Sequence, residues 1–414
     1  MGPFFWRLRK DLENAGARVS KVNFCAGDTL FYPTKATHYR GTLEKWPEFL
    51  STFIIQHNVD AVFLFGDCRP YHYVIRRVAR WLNADLYVFE EGYLRPDYIT
   101  FERGGVNAHS SIPRAPKLFS CLDKDAKIPV KRAIQVKNAF SRAAWYATCY
   151  SITNFLFGWT YPNYRHHRPL NPLHQAYAWI RSLVRKHWFL ARESKYLDAF
   201  TTTRSGRYFL VPLQVHNDAQ LTTHSEFASV EQIVDRIAQS FAAHALPDEA
   251  LVFKHHPMDR AYRDYGREMA AVARKYNLEG RLYYVHDLHL PTLLKHARGT
   301  VVVNSTVGLS SLHHGTPVIT LGDPVYNMPG LTYQGSLDSF WQDPGTFDEK
   351  VLNGFRHWLL AYNQANGNFY RPLKEAGNHA GVVWPSRAPE ALRAKETPLM
   401  SDGNARTYPQ GDAA

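Results

Sequence analysis

The feature that most constrains the fold of this chain is an alternation of short apolar strands with amphipathic helices, which occurs twice. In the first stretch, a helical pattern over 4–16 precedes the strand patterns RVSKVNF, AVFLFGD and DLYVFEEG, with helical patterns at 43–57 and in YHYVIRRVARWLNA between them. This alternation predicts a parallel sheet with helices on both faces. A doubly wound domain normally begins with a strand. Because this stretch begins with a helix, we expect that a first strand lies upstream of residue 1 or has been lost.

A second alternation begins after residue 206. Its helical patterns lie at 229–245, 258–276 and 290–297 and after 306, and its strand patterns are RYFLVPLQV, ALVFKHH, RLYYVHD, TVVVNS and PVITLG. This stretch predicts a second Rossmann-like unit. Two such units that face each other across a cleft form the GT-B arrangement. The predicted fold class is therefore α/β and GT-B-like.

The two alternations divide the chain into four predicted segments. They are an N-terminal Rossmann-like domain at 1–114, a basic, aromatic helical insertion at 115–205, a C-terminal Rossmann-like domain at 206–345, and C-terminal helices with a loose tail at 346–414. The length of 414 residues exceeds one usual core, which also favours two domains.

The predicted insertion carries most of the positive charge. The chain has a net charge of +12, and residues 127–196 contain twelve Lys or Arg and one acid, Glu193, so twelve minus one leaves +11 in this segment. Trp, Tyr and Phe are interleaved with these basic residues. Such helices are typical of peripheral contact with an anionic membrane, to which each basic group adds on the order of 1 kcal/mol. The alternatives are a solvated insertion packed on the body and, ranked last because no recognition motif accompanies the charge, a nucleic-acid surface.

Cysteine spacing and hydropathy bear on location and cofactors. The four cysteines, Cys25, Cys68, Cys121 and Cys149, form no C-x-x-C pair, so neither a disulfide framework nor a zinc site is predicted. The sequence contains no run of about 18 apolar residues, the length that would span a bilayer, and no signal peptide pattern. We therefore expect a cytoplasmic protein with reduced thiols that needs no metal or other cofactor.

Polar side chains follow several predicted strands, at the sheet edge where doubly wound proteins bind ligands. Two groups lie in the second unit: Asn304, Ser305 and Thr306 after one strand, and Lys254, His256 and Pro257 after another. The first group stands at a helix start, where a phosphate can bind, although simple helix capping is an equal alternative. The second group can meet a phosphate or a carboxylate, or it is an ordinary loop.

Carboxylates also stand at strand ends. Asp218 follows the strand that opens the second unit, with Gln214 before it, and Glu90 and Glu91 end a strand of the first unit beside Gly92. Each has a simpler interpretation, since Asp often forms turns or helix caps and adjacent acids are often solvated. If one glutamate faces Asp218, the two carboxylates can carry acid–base or nucleophilic sugar chemistry.

Several separated motifs occur together in this chain: GPFFWRLRKDLENAG, KVNFCAGDTLFYP, FEEGYLRPDYIT, VPLQVHNDAQ, FKHHP and the stretch from VNSTVGL to YNMPGLT. In this order they resemble the capsule polysaccharide biosynthesis/export family of the KpsS (LipB) type, over about residues 2–345. The resemblance implies a membrane-associated, retaining β-Kdo transferase of Gram-negative bacteria. Such an enzyme takes Kdo (3-deoxy-D-manno-oct-2-ulosonic acid) from CMP-β-Kdo and begins the capsule linker on phosphatidylglycerol or its lyso form.

The resemblance also implies roles for single residues. Asp218 matches a nucleophile that forms a glycosyl-enzyme adduct, and Glu90 or Glu91 matches the acid/base, with Glu90 preferred. Asp28 and Tyr32 stand where the acceptor side of the cleft is expected. The residues expected to bind the CMP phosphate and the Kdo carboxylate are His256, Pro257, Asn304, Ser305 and Thr306, with Lys254 and Gln214 beside them.

Two other functions stay open from the sequence. One is a different GT-B transferase that uses a UDP sugar or a CDP-polyol, and the other is a non-catalytic export or scaffold protein that binds the nascent glycolipid. The expected partners are CMP-Kdo, the lipid acceptor, the anionic surface of the inner membrane and other capsule assembly proteins. Nucleic acid is not expected.

Overall fold

The computed structural model describes residues 2–124, 132–166, 171–215, 227 and 229–388. The strands in these residues are β1 (Lys21–Asn23), β2 (Ala36–His38), β3 (Ala61–Phe65), β4 (Asp85–Glu91), β5 (Tyr98–Arg103), β6 (Tyr208–Pro212), β7 (Ala250–Lys254), β8 (Leu282–Val285), β9 (Gly299–Val302), β10 (Val318–Thr320), β11 (Gln364–Gly367) and β12 (Val382–Val383).

The α-helices cover the faces of two sheets and form the segment between them. They are α1 (Phe4–Asn14), α2 (Ala26–Phe31), α3 (Trp46–Gln56), α4 (Pro70–Trp81), α5 (Pro116–Lys124), α6 (Phe140–Phe157), α7 (Pro172–Thr201), α8 (Val230–His244), α9 (Gly266–Lys275), α10 (Leu290–His296), α11 (Val307–His313), α12 (Leu337–Gln342) and α13 (Glu349–Trp358).

The second half of the chain contains a wholly parallel sheet. Its strand order is β10-β9-β6-β7-β8, which is 3-2-1-4-5 when read from β8 and numbered from the first strand. Every residue of β6, β7 and β9 is buried, as expected for strands covered on both faces. The second Rossmann-like unit is therefore confirmed. The strand order reverses between β6 and β9, which is where such sheets open a ligand crevice.

The sheet of the first half is mixed, so the prediction of a parallel sheet there is wrong. Its order is β12-β11-β5-β4-β3, and only β3 and β4 run parallel. The connection at 92–97 is too short for the crossover that a parallel pair requires. Gly92 makes this tight turn possible, because a Cβ there would lie 2.2 Å from the carbonyl oxygen of Tyr98.

Other strands of the first half come from outside the predicted alternation. β11 and β12 belong to the C-terminal segment and return to the first sheet. β1 and β2 form a separate two-stranded parallel sheet. Residues of β1 and of β3 line one groove, which continues towards the second half.

One apolar core joins the two halves. Tyr93 and Ile112 of the first half pack in the same cluster as Leu309 and Tyr326 of the second. Helix α13 adds Phe355 to this cluster. Packing in this cluster therefore holds the first half against the second.

The segment between the halves consists of α5, α6 and the long helix α7. Helix α6 is fastened to the first half, where the Asn154 side chain accepts the N–H of Gly27 at 3.0 Å and the Tyr150 hydroxyl lies 2.9 Å from Sγ of Cys25. At the start of α7 the Asn171 side chain accepts backbone N–H groups. Among the described residues, no helix combines the length and apolar composition that a bilayer span requires.

Candidate active site

Glu90 lies at the carboxyl end of β4 and lines the groove. The groove is shared by the two halves, because Asp28 and Arg69 line it from the first half and Pro257 and Arg260 from the second. Strand side chains alternate between two faces, so the neighbouring Glu91 is not among the lining residues. The structure therefore distinguishes the two glutamates that the sequence left as alternatives, because only Glu90 lines the groove.

The environment of Glu90 favours its neutral form. Burial raises the pKa of this carboxyl group to about 7, although the N–H of Glu91, which donates to Oε1 at 3.1 Å, and the charge of Arg69 oppose the shift. A Cβ at Gly66 would lie 3.2 Å from Oε2 of Glu90, and Gly66 has a φ of +66°. Burial also raises the pKa of Glu91, against the charge of Arg95.

A cluster that the sequence did not indicate lies close to Glu90. The Asp67 carboxylate is buried and lies 3.0 Å from Nδ1 of His109, and it accepts the thiol of Cys68 at 3.3 Å. Burial alone would raise the pKa of Asp67, but these bonds and the N–H of Val106 lower it. Burial, followed by the Asp67 charge, raises the pKa of the Cys68 thiol. The position of Asp67 at the end of AVFLFGD was the signal that could have found it.

The same three side chains form the one group in the described residues that could hold a metal ion. Their ligand atoms lie within 4.8 Å of one another. Asp, Cys and His together suit Zn²⁺ better than Mg²⁺. The hydrogen bonds among them, however, already use both Asp67 oxygens.

In the second half, the structure brings two predicted residues together. The backbone N–H of Asn304 donates to the side-chain oxygen of Gln214 at 3.2 Å. A Cβ at Gly322 would lie 2.3 Å from Oδ1 of Asn304, so the loop after β10 approaches this side chain closely. These contacts lie at the carboxyl ends of β6, β9 and β10, where the sequence predicts a donor site.

A small pocket beside the turn at 304–306 is lined by residues of both halves. Asn304 and Thr306 line it together with Asn107 and Asp323. The hydroxyl of Ser305 accepts the N–H of Val307 at 3.2 Å, whereas Thr306, the N-cap residue of α11, makes no side-chain capping bond.

The predicted residues of FKHHP have three different environments. Pro257 lines the groove. His256 is half-buried, and its Nδ1 accepts the N–H of Met258 at 3.2 Å. Lys254 is buried, and its ammonium donates to the carbonyl of His286 at 2.9 Å instead of reaching the groove. Burial lowers the pKa of Lys254.

The residues predicted on the acceptor side also lie in or beside the groove. Asp28 lines it and accepts the N–H of Phe24 at 2.9 Å. Tyr32 also lines it, and its ring is buried 5.1 Å from that of Trp6, edge to face. Burial raises the pKa of Tyr32 to about 12, and its hydroxyl has no hydrogen-bond partner among the described residues. Asp218, the predicted nucleophile, lies outside the described residues.

A family model described as capsule polysaccharide biosynthesis protein matches residues 60–370. The chain belongs to this family. Among the relatives of this capsule family protein, the capsule polysaccharide modification protein LipB of Neisseria meningitidis serogroup B is 40% identical over 392 residues, which are 92% of this chain and 94% of the relative. The capsule polysaccharide export protein KpsS of Escherichia coli is 38% identical over 376 residues, 89% of this chain and 95% of the relative. The predicted family is confirmed.

Solved structures similar to the capsule family protein include two from Thermosulfurimonas dismutans. The KpsC β-Kdo 2,7-transferase has a TM-score of 0.39 and 14% identity, covering 82% of this chain and 89% of the other. The KpsC β-Kdo 2,4-transferase has a TM-score of 0.39 and 15% identity, covering 89% of this chain and 92% of the other. At these TM-scores the α/β, GT-B-like fold rests on the two sheets described above.

Proposed function

We propose that this capsule family protein is a retaining glycosyltransferase that moves Kdo from CMP-β-Kdo to phosphatidylglycerol or its lyso form, and so begins the poly-Kdo linker of capsule. The observation that carries the proposal is Glu90, a half-buried carboxyl group whose pKa is raised to about 7, in a groove lined by both halves. A carboxyl group with this pKa is poised to take up a proton near neutral pH.

The second half of the chain supports the proposal that the donor is a nucleotide-linked sugar. Its strand order opens a crevice beside β6 and β9, where Gln214 and Asn304 meet. Kdo carries a carboxylate beside its anomeric carbon, so CMP-Kdo presents two anionic groups. We assign the phosphate both to the 304–306 turn and to the turn with His256 and Pro257, which borders the groove. The turn with His256 and Pro257 also receives the sugar carboxylate.

The proposed reaction proceeds in two displacements. A carboxylate oxygen of Asp218 attacks the anomeric carbon of Kdo, and CMP leaves with the electrons of the broken C–O bond. The Glu90 carboxylate then takes the proton from a glycerol hydroxyl, whose oxygen attacks the same carbon and releases Asp218. Two inversions give overall retention. No metal ion enters either step.

The helices between the halves support the proposal that the acceptor is a lipid. Large apolar side chains of α6 and α7 and of the turn between them are exposed, namely Trp145, Phe155, Trp159, Leu173, Ile180 and Val184. This surface lies in the segment that carries +11 of the net charge. Apolar and basic side chains on one helical surface suit an anionic bilayer. We propose that the protein lies on the cytoplasmic side of the inner membrane through this surface.

A direct assay tests the proposal. Purified protein is incubated with CMP-Kdo generated in situ and a fluorescent phosphatidylglycerol analogue, and products are identified by mass spectrometry. We expect a Kdo-lipid product from the wild type and a large loss with Glu90→Gln, whereas Glu91→Gln serves as the matched control. Product from a UDP sugar but not from CMP-Kdo would show a different GT-B transferase.

One relative is named a capsule polysaccharide export protein, so the second candidate function is a non-catalytic role in export. In that case Glu90→Gln and Asp218→Ala would both leave capsule formation intact in a strain that depends on this chain. We expect both variants to abolish capsule at normal protein levels, measured by immunoblotting of protein and of surface polysaccharide.

A further inference from the structure

Glu193, the one acid in the basic segment 127–196, is buried and reaches from α7 to the end of β8. Its side chain is 4% exposed. Oε1 lies 2.6 Å from Nδ1 of His286, and Oε2 accepts the backbone N–H of His286 at 2.8 Å and that of Asp287 at 3.4 Å. A buried carboxylate that accepts three donors has a fixed position. Glu193 therefore joins α7 firmly to the second half.

The contacts continue from His286 to the turn that follows β7. The ammonium of Lys254 donates to the carbonyl of His286 at 2.9 Å, and the N–H of His255 donates to the carbonyl of Val285 at 2.7 Å. The His286 ring also stacks on Phe189 of α7, with centroids 3.5 Å apart. The residues just before Pro257 are therefore hydrogen-bonded to the end of β8, and Glu193 is hydrogen-bonded to the same end of β8.

A second set of contacts fastens the loop after Pro257 to the same helix. Arg260 pairs with the Asp287 carboxylate, and its guanidinium also donates to Oγ of Ser182 on α7 at 3.1 Å. Arg185 of α7 pairs with Asp264. Both sides of the turn at 254–257 are therefore bound to α7.

We propose that Glu193 is a positioning residue for donor binding, which holds the 254–257 turn against the groove through His286 and Lys254. The inference rests on the proposed function, which assigns anionic groups of CMP-Kdo to this turn. Glu193 itself does not line the groove, so it acts only through the residues that it holds.

Glu193→Ala and Glu193→Gln test this role, with Asp198→Ala, an exposed acid on the same helix, as the matched control. Hydrogen–deuterium exchange at 254–260, CMP affinity by calorimetry, and kcat and KM for CMP-Kdo are measured. We expect faster exchange in Glu193→Ala, CMP binding weaker by roughly tenfold to hundredfold, and a rise in KM rather than a fall in kcat. Glu193→Gln, which keeps one acceptor oxygen, should lie between alanine and wild type.

Wild-type exchange at 254–260 together with wild-type CMP affinity in a folded Glu193→Ala protein would overturn the inference. A fall in kcat alone would also overturn it, because the turn would then not affect donor binding. If Glu193→Ala does not fold, the nearly isosteric Glu193→Gln decides by the same measurements. If the wild type binds no CMP, the proposed function fails, whereas the exchange rates still show whether Glu193 holds the turn.

Discussion

The side-chain oxygen of Gln214 accepts the backbone N–H of Asn304 at 3.2 Å. This bond joins the segment after β6 to the segment after β9, although the two residues are 90 positions apart in the chain. β6 and β9 are neighbours in the parallel sheet, at the point where the strand order reverses. The fold thus assembles one edge of the proposed donor site from two distant motifs.

Gly322→Ala tests this edge without removing a polar group. The new Cβ would lie 2.3 Å from Oδ1 and 2.7 Å from Cγ of Asn304, so the Asn304 side chain must move. We expect CMP binding to weaken by roughly tenfold, as measured by calorimetry, because small displacements of positioning groups are costly. Gly158→Ala is the control, since its Cβ meets nothing within 4 Å. Unchanged affinity in Gly322→Ala would exclude Asn304 from the nucleotide site.

The raised pKa of Glu90 predicts a pH dependence of the transfer rate. As the proposed base for the acceptor hydroxyl, Glu90 must be ionised, and its ionised fraction increases as the pH rises through about 7. The rate should therefore increase from pH 5.5 to about 8 instead of levelling off above the ordinary Glu value of 4.5. A rate profile of kcat against pH measures this. Glu91→Gln should retain the same rise, and a rate already constant at pH 5.5 would speak against Glu90 as the base.

Trp159 and Trp81 allow a matched test of the proposed membrane surface, because their exposed fractions are 76% and 75%. Trp159 lies between α6 and α7, whereas Trp81 ends α4. We expect Trp159→Glu to weaken binding to phosphatidylglycerol vesicles at least fivefold, since one charge near an anionic surface contributes about 1 kcal/mol and an apolar contact is also lost. Sedimentation with vesicles measures the bound fraction. Equal losses in Trp81→Glu would show that the effect is not specific to the insertion.

Helices α5 and α13 pack so closely that only glycine fits at Gly354. A Cβ there would lie 1.8 Å from the backbone oxygen of Phe119. Gly354→Ala should lower the free energy of unfolding by on the order of 1–3 kcal/mol, because the two helices must separate. Thermal or urea unfolding measures the change. Asn353→Ala, at the exposed neighbouring position, should have little effect.

The sequence predicted the second half better than the first for a physical reason. β6, β7 and β9 are buried on both faces, so each appears as an uninterrupted apolar run. The helix predicted from 258 begins at Gly266, because residues 258–262 form the turns that carry Arg260. Local apolar patterns are reliable where the sheet is built from consecutive strands.

The first half depends on pairings that no local pattern contains. β11 pairs with β5 across more than 250 residues of the chain, and the polar sequence QANG gives little sign of a strand. The site shows the same limit. Glu90 could be predicted from its strand end, whereas Glu193 was visible only as one acid among twelve basic residues, and its partner His286 lies far along the chain.

The return of β11 and β12 to the first sheet has a consequence for biosynthesis. The polypeptide emerges from the ribosome amino end first, yet the first sheet lacks β11 until residue 367 has emerged and β12 until residue 383 has emerged. The second half, whose five strands are complete by residue 320, can therefore fold earlier than the half translated before it. During that interval the open edge of β5 is exposed to chaperones and to other nascent chains.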